Sequence, residues 1–175
     1  MATSLNNSIQ PQNYDYFLVL DFEATYVSPT VHPQLTKFCT ELTGITQETV
    51  TNQPTLDVVL QRFHTWLQKE NLLDPQVKFI FVTCGDWDLK TMLPNQCDYF
   101  KFERARYFNK WINIKRPYNE VLGKKQRTGM MEMLHGLNIQ HTGRHHSGID
   151  DCRNIAEILK VLAQRGHVFH DSRKK

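Results

Sequence analysis

YFLVLDFE, residues 16–23, is the stretch that decides the fold. Its first five residues are aromatic or aliphatic, a run too short for an isolated helix and suited to a buried strand. Asp21 and Glu23 follow, and because alternate residues of an extended chain point the same way, their carboxylates converge. Such a pair repels itself unless a divalent cation lies between the two groups. For an isolated pair, two ordinary acids at a solvated strand end are the simpler interpretation.

A second run of the same kind, FIFVT at residues 79–83, predicts another buried strand. It stops at Cys84-Gly85 and is followed by Asp86 and Asp88. Between the two runs, apolar residues recur at helical spacing from Leu56 to Leu67, directly after Pro54-Thr55, which predicts an amphipathic helix. Two strands therefore each end in acids, with a helix connecting them.

A closing helix is predicted near the C terminus, where Ile155, Ile158 and Leu162 keep the helical spacing and Gly166 marks the end. Residues 150–151 are both aspartate and fall in its first turn, where the helix dipole favours anions. With a strand-like stretch at residues 111–115, the order of elements is that of an α/β domain. In such sheets, sites form beyond the carboxyl ends of the strands, where these acids lie.

Length and composition predict one domain, since 175 residues with 40% hydrophobic content can build a single core. We expect a loose N-terminal tail at 1–13, the domain at 14–169 and a charged tail at 170–175. The chain has neither a membrane-spanning apolar run nor a secretory signal, and its four scattered cysteines suggest neither zinc fingers nor disulfides. We expect a soluble protein of the cytoplasm, the nucleus or both.

Four acids form the candidate metal site: Asp21, Glu23, Asp88 and Asp151. Carboxylate oxygens are the ligands that Mg²⁺ and Mn²⁺ prefer, and four of them can hold two ions that activate a water and stabilise a leaving oxygen. His146 lies five positions before Asp151, and imidazoles exchange protons near neutral pH. Alone, Asp88 is as easily a turn or helix-cap residue and His146 a surface histidine; their joint presence favours a site.

The ordered motifs YFLVLDFEAT, FCTELTGIT, FVTCGDWDL and HHSGIDDCRNIA resemble those of the DEDDh exonucleases of the RNase T superfamily, in the enhanced-RNAi exoribonuclease branch. The resemblance extends from Tyr14 to about Phe169. It implies a ribonuclease H-like α/β domain of three layers around a central mixed sheet. It also implies a 3′-5′ exonuclease that uses two Mg²⁺ ions, with Mn²⁺ as a possible substitute, to release nucleoside 5′-monophosphates.

The same resemblance assigns roles to individual residues. It makes Asp21, Glu23, Asp88 and Asp151 the metal ligands and His146, rather than His145, the general base. Glu23 and His146 are the catalytic pair. It implies contacts to the terminal nucleotide from Glu23, Ala24, Phe38, Ile45, Trp87 and His146, with Ile45 wedged against the base and the two aromatic residues on its faces. For Phe38, simple core packing is an equally good interpretation.

The chain departs from the family after Thr25, where a β-hairpin beside the first strand is missing. Thr25 passes directly to YVSPTVHP, the segment that usually follows that hairpin. The loss is on the order of thirty residues, the length of two strands with their loops. It would leave the first strand as an apolar edge and weaken the support of Asp21 and Glu23. We therefore expect reduced stability and reduced or absent activity.

Single-stranded RNA, or an RNA 3′ overhang, is the partner that the resemblance implies for an expected monomer; no membrane partner is expected and no protein partner is indicated. Basic and aromatic residues interleave between positions 99 and 127, a mixture typical of single-strand binding. Within it, core packing is the preferred interpretation for Phe108 and Trp111, and a phosphate contact from the 124–127 loop stays open. Two alternatives stay open: a catalytically weakened RNA- or protein-binding module, and a DNA-directed exonuclease.

Overall fold

A computed structural model describes residues 9–22, 25–123 and 128–173. Within them, three strands form one sheet: β1 (Tyr16–Val19), β2 (Phe79–Thr83) and β3 (Trp111–Asn113). They lie in the order β1-β2-β3 and both pairings are parallel, with Val19 opposite Val82 and Val82 opposite Ile112. The two buried strands predicted from the apolar runs are confirmed.

The sheet differs from the mixed sheet that we expected. Every strand pairing among the described residues is parallel, because no hairpin follows β1 to supply antiparallel neighbours. Seven α-helices surround the sheet in this part of the chain: α1 (Lys37–Thr43), α2 (Gln47–Val50), α3 (Leu56–Lys69), α4 (Leu93–Phe100), α5 (Lys115–Leu122), α6 (Met130–Gly136) and α7 (Gly148–Gln164). A π-helical turn, Asp88–Met92, leads into α4, and a 3₁₀ turn, Arg106–Asn109, precedes β3.

Two apolar clusters cover the two faces of the sheet, which gives the predicted three layers. Ile80 and Val82 of β2 pack in one cluster with residues of α5, α6 and α7. Phe81, whose side chain alternates to the other face, packs with residues of α3 and α4 and with Phe108 and Trp111. Phe108 and Trp111 are 3% and 6% exposed, so their interpretation as core residues is confirmed.

The predicted strand at 111–115 ends earlier than expected, at Asn113. Lys115 already begins α5, and its N–H donates to the Asn113 side-chain oxygen. Pro117 lies in the first turn of that helix, a position that proline tolerates because its missing N–H has no partner there. Periodicity over five residues could not separate the short strand from the helix that follows it.

The C-terminal segment is docked, so the loose tail expected at 170–175 is wrong for its described part. Asp171 and Ser172 are buried. The Ser172 N–H donates to the Trp111 carbonyl at 2.9 Å, and the Ser172 Oγ accepts from the Asn113 N–H at 2.7 Å. At the other end, the side chains of Gln12 and Asn13 bond to the backbone of 167–169, so the ordered domain begins before residue 14.

The opposite edge of the sheet is formed by β1. Among the described residues no strand pairs with its outer side. A groove of about 750 Å³ runs beside it, lined largely by apolar side chains of β1 and α3 that include Phe17, Leu18, Phe63 and Trp66. The predicted apolar edge is thus present. In the part of the chain that the structure describes, no helix has the length and hydropathy to span a bilayer.

Candidate active site

The site lies at the carboxyl ends of β1 and β2. The Leu20 N–H donates to the Val82 carbonyl at 2.9 Å, so the last residues of the two strands end side by side. Asp21 lies two residues after the end of β1, and Cys84 directly follows β2. The Cys152 thiol of α7 lies 3.8 Å from the Val19 carbonyl oxygen, which brings the first turn of that helix to the same edge. Three elements therefore meet where the sequence places its acids.

Asp151 is the buried acid of the site, 6% exposed in the first turn of α7. Its Oδ2 accepts from the His146 N–H at 3.0 Å, and its Oδ1 lies 3.4 Å from the His145 Nδ1. The two imidazoles stack with ring centres 3.9 Å apart. His146 has a φ of +66°, a left-handed conformation that is uncommon for a residue other than glycine. One carboxylate thus fixes the loop that presents both histidines.

Two thiols lie close to all three described acids of the predicted metal site. Burial, together with the negative charges of Asp21, Asp151 and Asp88, raises the pKa of Cys84 to about 11 against the opposing charge of Lys115. Burial and the same three carboxylates raise the pKa of Cys152 to about 12. Because Coulomb interactions weaken with distance, all three carboxylates lie near this pair of thiols. Their negative charge fits a divalent cation, which would offset it.

The two aspartates of Gly-Asp-Trp-Asp have different surroundings. The Asp86 carboxylate accepts from the Trp111 Nε1 at 2.9 Å and from the Arg116 guanidinium at 3.2 Å, so it ties the loop after β2 to β3 and α5. Asp88 begins the π-helical turn and acts electrostatically on both thiols. The engagement of Asp86 with β3 and α5 supports the choice of Asp88 for the metal site.

The tightest group of potential metal ligands in the described chain is His145, His146 and Asp151, whose ligand atoms lie within 4.8 Å of one another. Asp21 and Asp88 do not belong to this group of three. Glu23 and Ala24 lie outside the described residues, as does the 124–127 loop. The structure therefore brings three of the four predicted acids to one edge and places His145, to which the family resemblance gives no role, next to Asp151.

The two aromatic residues predicted to hold a nucleobase are both exposed. Phe38 is 72% exposed on α1 and Trp87 is 67% exposed before the π-helical turn, so core packing as an interpretation of Phe38 is wrong. Ile45 is partly buried and lines a cleft of about 730 Å³. All three side chains are thus accessible at the surface or at a cleft, as a nucleotide contact requires.

Arg144 connects the histidine loop to α1, a contact that the sequence analysis missed. Its guanidinium donates to the Glu41 carbonyl near the end of α1 at 3.2 Å. It also covers Gly44, which has a φ of +75° and where any Cβ would overlap the guanidinium. The helix that carries Phe38 is therefore attached to the loop that carries His146. A glycine was the only sequence signal, and it gave no hint of its partner 100 residues away.

The loop itself is held by Asp150, the neighbour of the site acid. Its Oδ2 accepts from the Arg144 N–H at 3.1 Å, and this bond, with others from Ser147 and Arg153, holds the pKa of Asp150 below its usual value. A side chain at Gly143 would collide with the Asp150 carboxylate, so glycine is needed at this close approach. Asp150 thus shapes the loop, while Asp151 faces the site.

Comparison with known proteins identifies the family. The model of the RNase T exonuclease family matches residues 12–159. The chain belongs to this exonuclease family. It is 50% identical over 199 residues to ERI1 exoribonuclease 3 of Bos taurus and to that of Homo sapiens, alignments that include 95% of this chain and 59% of each relative. The chain therefore spans less than two thirds of the length of these relatives, and the resemblance predicted from the motifs is confirmed.

Solved structures of exonucleases share the fold. The nuclease domain of 3′hExo, described as a DEDDh family member bound to rAMP, superposes with a TM-score of 0.79 at 33% identity, over 85% of this chain and 74% of that one. A 3′-exonuclease described in 3′-end recognition of a histone mRNA stem-loop superposes with a TM-score of 0.85 at 28% identity, over 91% and 67%. The alignments to the exoribonuclease 3 relatives are 199 positions long, which exceeds the 175 residues of this chain, so they contain gaps in it. Such gaps agree with a segment that the relatives have and this chain lacks.

Proposed function

We propose that this exonuclease-family chain removes nucleoside 5′-monophosphates from the 3′ end of single-stranded RNA in a metal-dependent reaction. The observation that carries the proposal is the convergence of Asp21, Asp88 and Asp151 on one pair of thiols, beside His146. Support for RNA, rather than DNA, comes from the relatives, which are named exoribonucleases, and from the neighbour that holds rAMP.

The acids would hold the metal. Asp21, Asp88 and Asp151, together with Glu23, would bind two Mg²⁺ ions, or Mn²⁺ in their place, which supply positive charge at the scissile phosphate. His146 would accept a proton from the attacking water. Its backbone bond to the buried Asp151 fixes its place in the loop, so the imidazole is held next to the metal ligands.

The exposed residues around the acids would position the RNA end. Phe38 and Trp87 offer two aromatic faces, and stacking of a base on such a face is worth about 1 to 3 kcal/mol. Ile45, at the cleft behind α1, would contact the edge of the base. The Arg144 contact to Glu41 would keep α1 at a fixed distance from His146, so that base binding and proton transfer occur in one geometry.

A second candidate is a catalytically weakened member of the family that binds RNA or a protein. The open edge of β1 favours it, because Asp21 lies two residues after the end of a strand that has no described neighbour on its outer side. Active sites lose rate steeply when their ligands are held loosely. The two candidate functions are distinguished by whether the folded protein degrades RNA.

The test follows a 5′-labelled single-stranded RNA with Mg²⁺ or Mn²⁺ on a sequencing gel. We expect a ladder that shortens from the 3′ end. Asp21→Asn should abolish it, and His146→Ala should slow it by about 10²- to 10⁴-fold, the usual contribution of a general base. His135→Ala, at an exposed position of α6, is the matched control and should keep the wild-type rate.

Folding of each variant is checked by circular dichroism. Intact RNA with either metal, from folded wild-type protein, would overturn the enzyme proposal, and binding of the same RNA would then support the second candidate. A DNA oligonucleotide of the same sequence, degraded as fast as the RNA, would overturn the choice of RNA.

A further inference from the structure

The group formed by His145, His146 and Asp151 has a different chemistry from the carboxylate site beside it. It offers two imidazole nitrogens and one carboxylate oxygen, all within 4.8 Å of one another. Mg²⁺ prefers oxygen ligands alone, whereas imidazole suits Zn²⁺ and the later divalent transition metals. The donors of this group therefore select another class of ion than the four acids do.

One edge of the group already has the spacing of a metal site. The His145 Nδ1 and the Asp151 Oδ1 lie 3.4 Å apart. Two ligands bound tetrahedrally at about 2.0 to 2.1 Å from Zn²⁺ lie roughly 3.3 to 3.4 Å from each other. As a hydrogen bond, 3.4 Å is long, so little is lost when a metal replaces it. The Asp151 carboxylate and the His145 ring thus need little movement to share an ion.

The third donor, His146, needs a side-chain rotation. Its ring stacks face to face on that of His145, with ring centres 3.9 Å apart and 25° between the planes. Its backbone N–H stays bonded to the Asp151 Oδ2, which keeps its Cα near the other two donors. Its ligand atom already lies within 4.8 Å of the other two, so we expect a side-chain rotation out of the stack to close the remaining distance without moving the backbone.

We propose that His145, His146 and Asp151 bind one Zn²⁺ ion, with the remaining coordination position open to water, and that this ion inhibits the exonuclease. Three protein ligands and one open position are an ordinary zinc arrangement. The ion would bind the His146 imidazole nitrogen, so that this nitrogen could no longer accept a proton. It would also bind Asp151, which is a ligand of the carboxylate site as well. The inhibition rests on the proposed function, whereas the binding of zinc does not.

The nearby thiols of Cys84 and Cys152 do not join this group. Among the described residues, the ligand atoms that lie within 4.8 Å of one another are those of His145, His146 and Asp151. These three donors therefore form the candidate zinc set.

The binding test uses Co²⁺ as a spectroscopic substitute for Zn²⁺ on the full, metal-stripped chain. Tetrahedral Co²⁺ has intense visible d–d absorption, whereas six-coordinate Co²⁺ in an oxygen site absorbs weakly. We expect one equivalent of Co²⁺ to produce the intense bands and Zn²⁺ to displace it. His145→Ala should lose the bands and weaken zinc binding at least about 10-fold, since even indirect changes around a metal cost that much. His135→Ala should retain both.

Asp21→Asn and Asp88→Asn separate this site from the carboxylate site. Neither residue belongs to the three-donor group, so both variants should keep the intense Co²⁺ bands. Loss of the bands in these two variants, with retention in His145→Ala, would place the ion among the carboxylates and overturn the proposal. Absence of intense bands from folded wild-type protein would overturn it as well.

The inhibition test compares each protein with itself. Exonuclease rates are measured in excess Mg²⁺ over a series of Zn²⁺ concentrations for wild type, His145→Ala and His135→Ala. Each rate is divided by the rate of the same protein without Zn²⁺. We expect the zinc concentration that halves the rate to rise at least about 10-fold in His145→Ala only. If the same Zn²⁺ concentration halves the rate of all three proteins, zinc bound at this site does not inhibit the exonuclease. If no chain degrades RNA, the Co²⁺ and Zn²⁺ binding results still decide the site.

Discussion

The two edges of the sheet differ in what covers them. At the β3 edge, Ser172 bonds to the backbone of both Trp111 and Asn113, and the C-terminal segment covers the strand. At the β1 edge, the described residues supply no neighbouring strand, and an open groove of about 750 Å³ takes its place. The Asp86 side chain is bonded to Trp111 of the covered edge strand, whereas Asp21 lies two residues after the end of the open edge strand. The candidate site thus lies on the less supported side of the sheet.

The two edges are therefore expected to contribute differently to the stability of the domain and to the geometry of its site. An uncovered edge strand presents unpaired backbone groups and invites association with other chains. A covered edge contributes stability through hydrogen bonds that water cannot easily replace. We therefore expect changes at the β3 edge to alter unfolding, and changes at the β1 edge to alter both unfolding and the precision of the site.

The largest effect should follow from uncovering the β3 edge. Ending the chain after Phe169 removes the bonds of Ser172 to β3 and its carbonyl's bond to the Arg116 side chain. Three hydrogen bonds of about 1 kcal/mol each predict a loss of about 3 kcal/mol in unfolding free energy. For a chain of this size, that lowers the melting temperature by roughly 6 to 12 °C.

The measurement is thermal unfolding followed by circular dichroism. A chain ended after Arg173 is the control, because it keeps every bond named above. An unchanged melting temperature in the shorter chain would mean that the tail does not stabilise the β3 edge.

The next effect should follow from covering the β1 edge. Inserting a family hairpin after Thr25 gives β1 an antiparallel neighbour and covers the apolar groove. A few new backbone hydrogen bonds, less the cost of ordering the insert, predict a gain of about 2 kcal/mol and roughly 4 to 8 °C. RNA degradation should rise as well, because the residues that follow β1 are held more firmly.

A Gly/Ser insert of the same length controls for chain length alone. Equal melting temperatures and rates for the two inserts would overturn the idea that the open edge limits this protein.

The smallest effect should distinguish the two aspartates after β2. Burial works against ionisation of Asp86, but hydrogen bonds from Trp111 and Asn113 and the charge of Arg116 outweigh it and hold its pKa below the usual value. Such a carboxyl stabilises the fold above its unfolded pKa of about 3.9, and the stabilisation is lost as pH falls through the folded pKa. Asp86→Asn should therefore lower stability at pH 7 by about 1 kcal/mol, with a smaller difference from wild type in acid.

Asp88→Asn is the matched variant, two positions away and with the same change of charge. It should abolish metal-dependent degradation of RNA while changing stability less than Asp86→Asn does. Urea unfolding at pH 7 and at acid pH, together with the gel assay, measures both properties. The opposite pattern, with activity lost only in Asp86→Asn, would exchange the roles of the two residues.

Local sequence patterns predicted the elements that bury long apolar runs. Residues 79–83 form a strand as expected, and the helix predicted from Leu56 begins there, after Thr55. The closing helix carries Asp150 and Asp151 in its first turn, as predicted. The five shorter helices of the described chain, α1, α2, α4, α5 and α6, were not predicted, because four to eight residues give too little periodicity to stand out.

The sequence by itself determined the α/β order, the acids at the ends of two strands, the histidine loop and the family. Each of these depends on neighbouring residues or on motifs in a fixed order. Only the tertiary structure decided that the Asp86 side chain binds Trp111 of β3 and that Ser172 binds the backbone of the same strand. It also decided that Arg144 binds the backbone of α1 and that His145 lies next to Asp151. Most of these contacts join distant parts of the chain, and all four depend on how the loops and helices pack around the sheet, which no local pattern specifies.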